Sequence, residues 1–201
     1  MTASTSPAPS TTSAAPGAPG STTTSDTEQV LARAREVIGA TTLDDKNLSR
    51  YLHGLPGVDK VGADGRAAML GTRSIKTTAK QWALDTIVSM IDLTTLEGAD
   101  TPGKVRTLAA KARTPDPSDP SCPRPAAVCV YGDLVHVAKD ALAGTGVKIA
   151  AVATAFPSGR ASLAVRLADT REAVAQGADE IDMVIDRGAF LSGQYAKVFE
   201  D

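Results

Sequence analysis

The sequence predicts an α/β fold built on a parallel sheet, and among such folds a (β/α)8 barrel. Three observations predict it. Residues 126–131, 148–156 and 178–186 are short, Val-, Ile- and Ala-rich runs, each followed by a helical pattern, as expected for parallel strands covered by helices. No Gly-x-Gly-x-x-Gly follows any of these runs, which counts against a doubly wound, dinucleotide-binding sheet. Asp92, Thr94, Tyr131, Thr154 and Asp186 stand at or near C-terminal strand ends, where barrel enzymes place their active sites.

Taken in order, residues 1–27 are almost all Ser, Thr, Pro, Ala and Gly, with Met1 and Asp26 the exceptions. Such a segment offers no apolar face to offset its ordering entropy and reads as a disordered tail. A transit peptide is the rival reading, but the first basic residue is Arg33, whereas transit peptides are rich in Arg. Residues 28–81 read as a helical extension. Ser25, Asp26, Thr27 and Glu28 fit a capping box, Val30, Leu31, Ala34, Val37 and Ile38 follow at helical spacing, and Gly39 ends the helix. A second helix is expected over 42–52. Pro56 and the glycines at 57, 62, 65 and 71 give 54–73 the look of a loop.

Residues 82–201 carry the barrel rhythm. The first strand is expected at 86–93, and Thr101-Pro102 then opens a helix with Pro at its first position. After a Pro-rich loop over 114–125, a strand at 126–131 leads to a helix at 133–142, and a strand at 148–156 leads to a helix at 161–176. Gly177 stops that helix before the fourth strand, and a further helix begins near Gln194.

Composition bounds the function. At 201 residues and 42% hydrophobic content the chain can bury a core. A net charge of -2 leaves no basic footprint for nucleic acid. No apolar stretch reaches the length of a membrane span. Of the two cysteines, Cys129 lies inside an apolar run, which favours a reduced, cytoplasmic chain over a disulfide scaffold. His53 and His136 lack metal-ligand spacing, so no metal is expected. Trp82 is expected to pack the helical extension onto the barrel.

The most informative residue is Asp182. Strand alternation puts Glu180, Asp182, Val184 and Asp186 on one face and Ile181, Met183 and Ile185 on the other. A carboxylate in mid-strand is either a structural group paired with an Arg or Lys, or one held for proton transfer.

The chain resembles the deoxyribose-phosphate aldolases. The resemblance rests on Ile91-Asp92-Leu93-Thr94-Thr95-Leu96, on Ala127-Val128-Cys129-Val130-Tyr131 and on Phe156-Pro157-Ser158-Gly159. It rests most on Thr170-Arg171-Glu172-Ala173 leading through Gly177-Ala178-Asp179-Glu180 into Ile181-Asp182-Met183-Val184. It implies a (β/α)8 barrel that reversibly cleaves the phosphosugar 2-deoxy-D-ribose 5-phosphate into acetaldehyde and D-glyceraldehyde 3-phosphate. A lysine Schiff base serves as electron sink, with no metal or cofactor. It implies that Asp182 is the proton-relay carboxylate, that Asp92 and Thr94 line the substrate pocket, and that a homo-oligomer is compatible with the fold. The family's Schiff-base lysine and its partner lysine lie on the sixth and seventh strands, so both would fall after Asp201. The expectation is therefore a chain holding about the first four β/α units, inactive alone. Two alternatives stand beside it: a non-catalytic half-barrel that assembles with another chain, and a different barrel enzyme.

Overall fold

A computed structural model describes residues 24–201, without the side chains of residues 24 and 25. The tail expected over 1–27 mostly lies outside the described residues, but its last four residues form the first turn of α1 (Thr24–Ile38). Gly39 ends that helix at φ +67°, with Ala40 N–H donating to the Arg35 carbonyl and Gly39 N–H to that of Glu36. This pairing closes the last turn in the way that favours glycine. Helix α2 (Asp45–Gly54) is capped by Asp44, whose carboxylate accepts from Asn47 N–H at 2.9 Å.

Two expectations about the next segment are corrected. Residues 54–73 are not a loop, because α3 spans Lys60–Gly71, started by Asp59 accepting from Gly62 N–H at 2.9 Å. The N-cap and the run of Ala67, Ala68, Met69 and Leu70 outweigh two interior glycines. The strand expected at 86–93 is mostly helix, since α4 runs Thr77–Met90 and β1 is only Asp92–Thr94. The β-branched Thr86, Ile87 and Val88 are carried in a helix begun by Ala79, Lys80, Gln81 and Ala83, and Thr86 Oγ1 donates back to the Trp82 carbonyl. Trp82 does not pack the extension onto the barrel; it is 70% exposed.

The remainder alternates strand and helix. Helix α5 (Pro102–Arg113) is capped by Thr101, and β2 (Ala127–Tyr131) is followed by a 3-10 turn and α6 (Val135–Leu142). Strand β3 (Lys148–Ala153) precedes α7 (Leu163–Gln176), which Gly177 ends at φ +105°. Strand β4 (Glu180–Met183) leads into two short helices, α8 (Arg187–Leu191) and α9 (Tyr195–Glu200).

The four strands are parallel and lie in chain order, β1-β2-β3-β4. Alternation gives the sheet two different faces. Val128, Val130, Ile149 and Ala151 point outward into a core with Val105, Ala109, Val135, Ala138, Leu142 and Ala173 from the covering helices, and Ile181 packs against it. Ala127, Cys129, Ala150 and Val152 point inward, with Leu96, Tyr131 and Phe156 packed around them. The architecture is a partial (β/α) barrel with a helical N-terminal region. Helix α2 packs on α9, helped by Ala196 N–H donating to Asp45 Oδ1 at 2.7 Å. Val61, Leu70, Trp82, Ile87 and Met90 on α3 and α4 are exposed.

Candidate active site on the inner sheet face

Register brings the candidate residues onto one surface. Thr94, Cys129, Ala150 and Glu180 form one row across the four strands. Tyr131, Val152 and Asp182 form the next row toward the C-terminal strand ends, and Asp92 lies level with Ala127 and Lys148. Paired residues in a parallel sheet share a face, so Asp92, Thr94 and Asp182 all face inward. All three are exposed. Asp182 makes no hydrogen bond or ion pair with another described residue.

Cys129 reports how these groups sit. It is 2% exposed. Its thiol is pushed up to about 11, first by burial, then by the charges of Asp182 and Asp92, against a hydrogen bond with Thr94 that favours the thiolate. Two carboxylates on outer strands therefore act on one thiol between them. Thr94 Oγ1 also donates to the Asp92 carbonyl at 3.0 Å, which ties the end of β1. Tyr131 closes this surface at the top, stacking edge-on against Phe156 at 6.0 Å between ring centroids and donating to the Leu96 carbonyl at 3.3 Å.

Asp186 does not join this face, although strict alternation from Asp182 would place it there. Strand β4 ends at Met183. Asp186 instead caps α8, accepting from Ala189 N–H at 3.0 Å and pairing with Lys197 at 2.7 Å. The Lys197 hydrogen bond and the Ala189 amide hold its carboxyl low, at about 2.

The lysines divide as their elements dictate. Lys60, Lys104 and Lys197 are engaged by Asp64, Asp100 and Asp186. Lys148 opens β3 level with Ala127, whereas Asp182 is level with Val152. Those four residues of strand put Lys148 about 13 Å away toward the opposite end. Among the described residues no group of three His, Cys, Asp or Glu is arranged to hold a metal, and no helix is long and apolar enough to cross a membrane.

Two residues that sequence reasoning did not single out as supports of this surface are central to its frame. Arg166, on α7, is 3% exposed and donates to the Val184 carbonyl at 2.6 Å while pairing with Asp201. Asp169 accepts from Ala155 N–H at 3.0 Å and holds the loop after β3. A charged residue in an amphipathic helix ordinarily reads as solvated, so neither carried a sequence signal of its own.

No family model matches the chain. A deoxyribose-phosphate aldolase of Mus musculus is 41% identical over 142 residues, covering 64% of this chain and 44% of that protein. The corresponding Homo sapiens protein is 39% identical over 139 residues, covering 63% and 44%. A crystal structure of a Coccidioides immitis protein assigned as a deoxyribose-phosphate aldolase superposes with a TM-score of 0.52 at 29% identity, covering 58% of this chain and 43% of that one. The chain thus spans less than half the length of the curated relatives it matches. In sequence and in fold, this chain is a relative of the deoxyribose-phosphate aldolases, carrying a part of their barrel.

Proposed function

We propose that this chain supplies one side of a deoxyribose-phosphate aldolase site, with Asp182 as proton-relay carboxylate and Asp92 and Thr94 as substrate contacts. The observation that supports this is the convergence of Asp92, Thr94 and Asp182 on the inner sheet face around Cys129. In the reaction a lysine amine condenses with the sugar carbonyl and releases water. The resulting iminium then accepts the electron pair of the breaking carbon–carbon bond, leaving an enamine. Asp182 contributes the proton steps that accompany these changes, being unpaired and therefore free to exchange a proton through water or with an incoming lysine. Thr94 and Asp92 offer hydroxyl and carboxylate groups suited to a sugar hydroxyl.

In this reading the nucleophile is a lysine outside residues 1–201: Lys60, Lys104 and Lys197 are engaged by carboxylates, Lys111 and Lys139 lie on α5 and α6, Lys148 opens β3 at its far end, and Lys46, Lys76 and Lys80 belong to the helical N-terminal region. The substrate is a small phosphosugar, with neither nucleic acid nor membrane as partner. The site sits in the cytoplasm, in deoxyribonucleotide catabolism. Among the described residues no strand pairs with the outer edges of β1 and β4, which favours a second reading for the chain alone, in which it associates through them with another polypeptide.

The test has two arms. Purified chain incubated with acetaldehyde and borohydride is expected to yield no reduced lysine adduct by mass spectrometry. A stoichiometric adduct on one lysine, with cleavage of deoxyribose 5-phosphate, would overturn the outside nucleophile. In a version carrying all eight strands, Asp182→Asn is expected to lower turnover at least about 10²-fold. Near-normal turnover would remove Asp182 from the chemistry.

A further inference from the structure

We infer that Thr154 and Arg166 are positioning residues for Asp182, acting by gripping the Val184 peptide unit from two sides. The inference rests on the aldolase reading only for the purpose it gives Asp182; the geometry stands separately. Ladder pairing between β3 and β4 stops at Ala153 and Met183. Beyond it the β3 backbone turns away, with Thr154 at φ +64° and Ala155 at φ +61°. Two consecutive non-glycine residues in the left-handed region are costly and persist only where their surroundings hold them. The Thr154 side chain then does what the departed backbone would have done. Its Oγ1 accepts from Val184 N–H at 2.7 Å and donates to the Val184 carbonyl at 2.9 Å.

Arg166 adds a second donor to the same carbonyl at 2.6 Å, from a side chain that is 3% exposed and charge-balanced by Asp201. The turn itself is pinned by Asp169 accepting from Ala155 N–H at 3.0 Å. Val184 directly follows Met183, the last residue of β4, and stands two residues beyond Asp182. Fixing the Val184 peptide plane fixes the pleat that aims the Asp182 carboxylate, which has no side-chain partner of its own among the described residues. An unpartnered carboxylate on the exposed edge strand needs such a constraint to keep one direction.

Cys129 provides a readout that needs no catalysis, because Asp182 and Asp92 both act on its thiol while Thr94 opposes them. The experiment uses the full chain carrying Cys122→Ser, following the Cys129 13Cβ shift against pH and the amide exchange of Val184. Asp182→Asn calibrates the lowering of the Cys129 titration when that charge is absent. Thr154→Val keeps the β-branched shape and deletes both hydrogen bonds. We expect Val184 to exchange at least about tenfold faster than in the parent. We expect Cys129 to titrate lower, toward the Asp182→Asn value, and Thr154→Val added to Asp182→Asn to move it no further. Thr154→Ser should restore the parent titration. Thr154→Ala, less crowded at positive φ, serves the same measurements if the Val variant does not fold. An unchanged Cys129 titration in a folded variant, or a shift that adds in full to that of Asp182→Asn, overturns the inference. An eight-stranded enzyme indifferent to Asp182→Asn would instead sink the aldolase reading and leave these two readouts unchanged, so the two failures are separable.

Discussion

Lys197 Nζ stands 2.7 Å from Asp186 Oδ2, and this pair ties the first residue ahead of α8 to the middle of α9. It also removes a carboxylate from the inner sheet face, leaving Glu180 and Asp182 as the acidic residues of β4. The pair has a defined pH signature. The Asp186 pKa is held at about 2 in the folded chain against an ordinary 3.8. A group whose folded pKa is depressed stabilises the fold above its unfolded value and loses that contribution as pH falls through the folded one. Asp186→Asn should therefore lower the melting temperature at pH 7. The difference from the parent should shrink between about pH 4 and pH 2, measured by circular dichroism melts across that range. A difference that stays constant down to pH 2 would show that the pair contributes nothing through charge.

Arg166 and Asp201 form the most buried ion pair among the described residues, with side-chain exposures of 3% and 6%. Breaking such a pair strands a charge. Asp201→Ala should cost about 3 kcal/mol or more in urea unfolding, well above the cost of cutting an exposed pair such as Lys60–Asp64. Equal effects from the two variants would contradict this ranking.

Gly159 takes φ +69°, and a Cβ built there would stand 2.6 Å from the Ile185 carbonyl oxygen. The loop after β3 thus lies against the chain leaving β4 at a distance that no side chain fits. Gly159→Ala should destabilise by about 1–3 kcal/mol through strain and clash together. Gly144→Ala, also at positive φ but with open space around it, should cost less. A reversed order of the two in denaturant melts would mean that the close approach to Ile185 is not maintained.

The two cysteines should differ in reactivity. Cys129 is buried with its thiol pushed up to about 11, while Cys122 is half-buried and raised mainly by desolvation. At pH 8 a thiol reagent should label Cys122 at least about tenfold faster than Cys129. Comparable rates would show that the inner face opens readily.

What the sequence made legible follows from how far one period holds. Strands β2 and β3 were plain because their apolar runs are bounded by Pro-rich and Gly-rich segments. Thr101, Pro102 and Gly177 marked helix ends by chemistry that does not depend on tertiary context. Thr86, Ile87 and Val88 misled, because β propensity is a weak preference that a helix already under way overrides. The glycines at 62 and 65 hid α3 for the opposite reason, their helix penalty being small beside a good N-cap. At the site, strand-end position and the resemblance pointed to Asp92 and Thr94 and alternation to Asp182, but alternation was carried past the end of the strand to Asp186, since nothing local announces that β4 stops at Met183. Arg166 was invisible because its partner, the Val184 carbonyl, is a backbone group on another element.

The sheet order has a kinetic consequence. Each strand pairs with the one made immediately before it, Asp92 with Ala127, Ala127 with Lys148 and Ala150 with Glu180, so every closure spans fewer than about forty residues. Short loops close cheaply, and a sheet that grows only at its newest edge can assemble while the polypeptide is still emerging from the ribosome. At each stage the nascent sheet presents the most recently made strand as the template for the next. After Met183, that growing edge is β4, the strand whose direction Thr154 and Arg166 already hold.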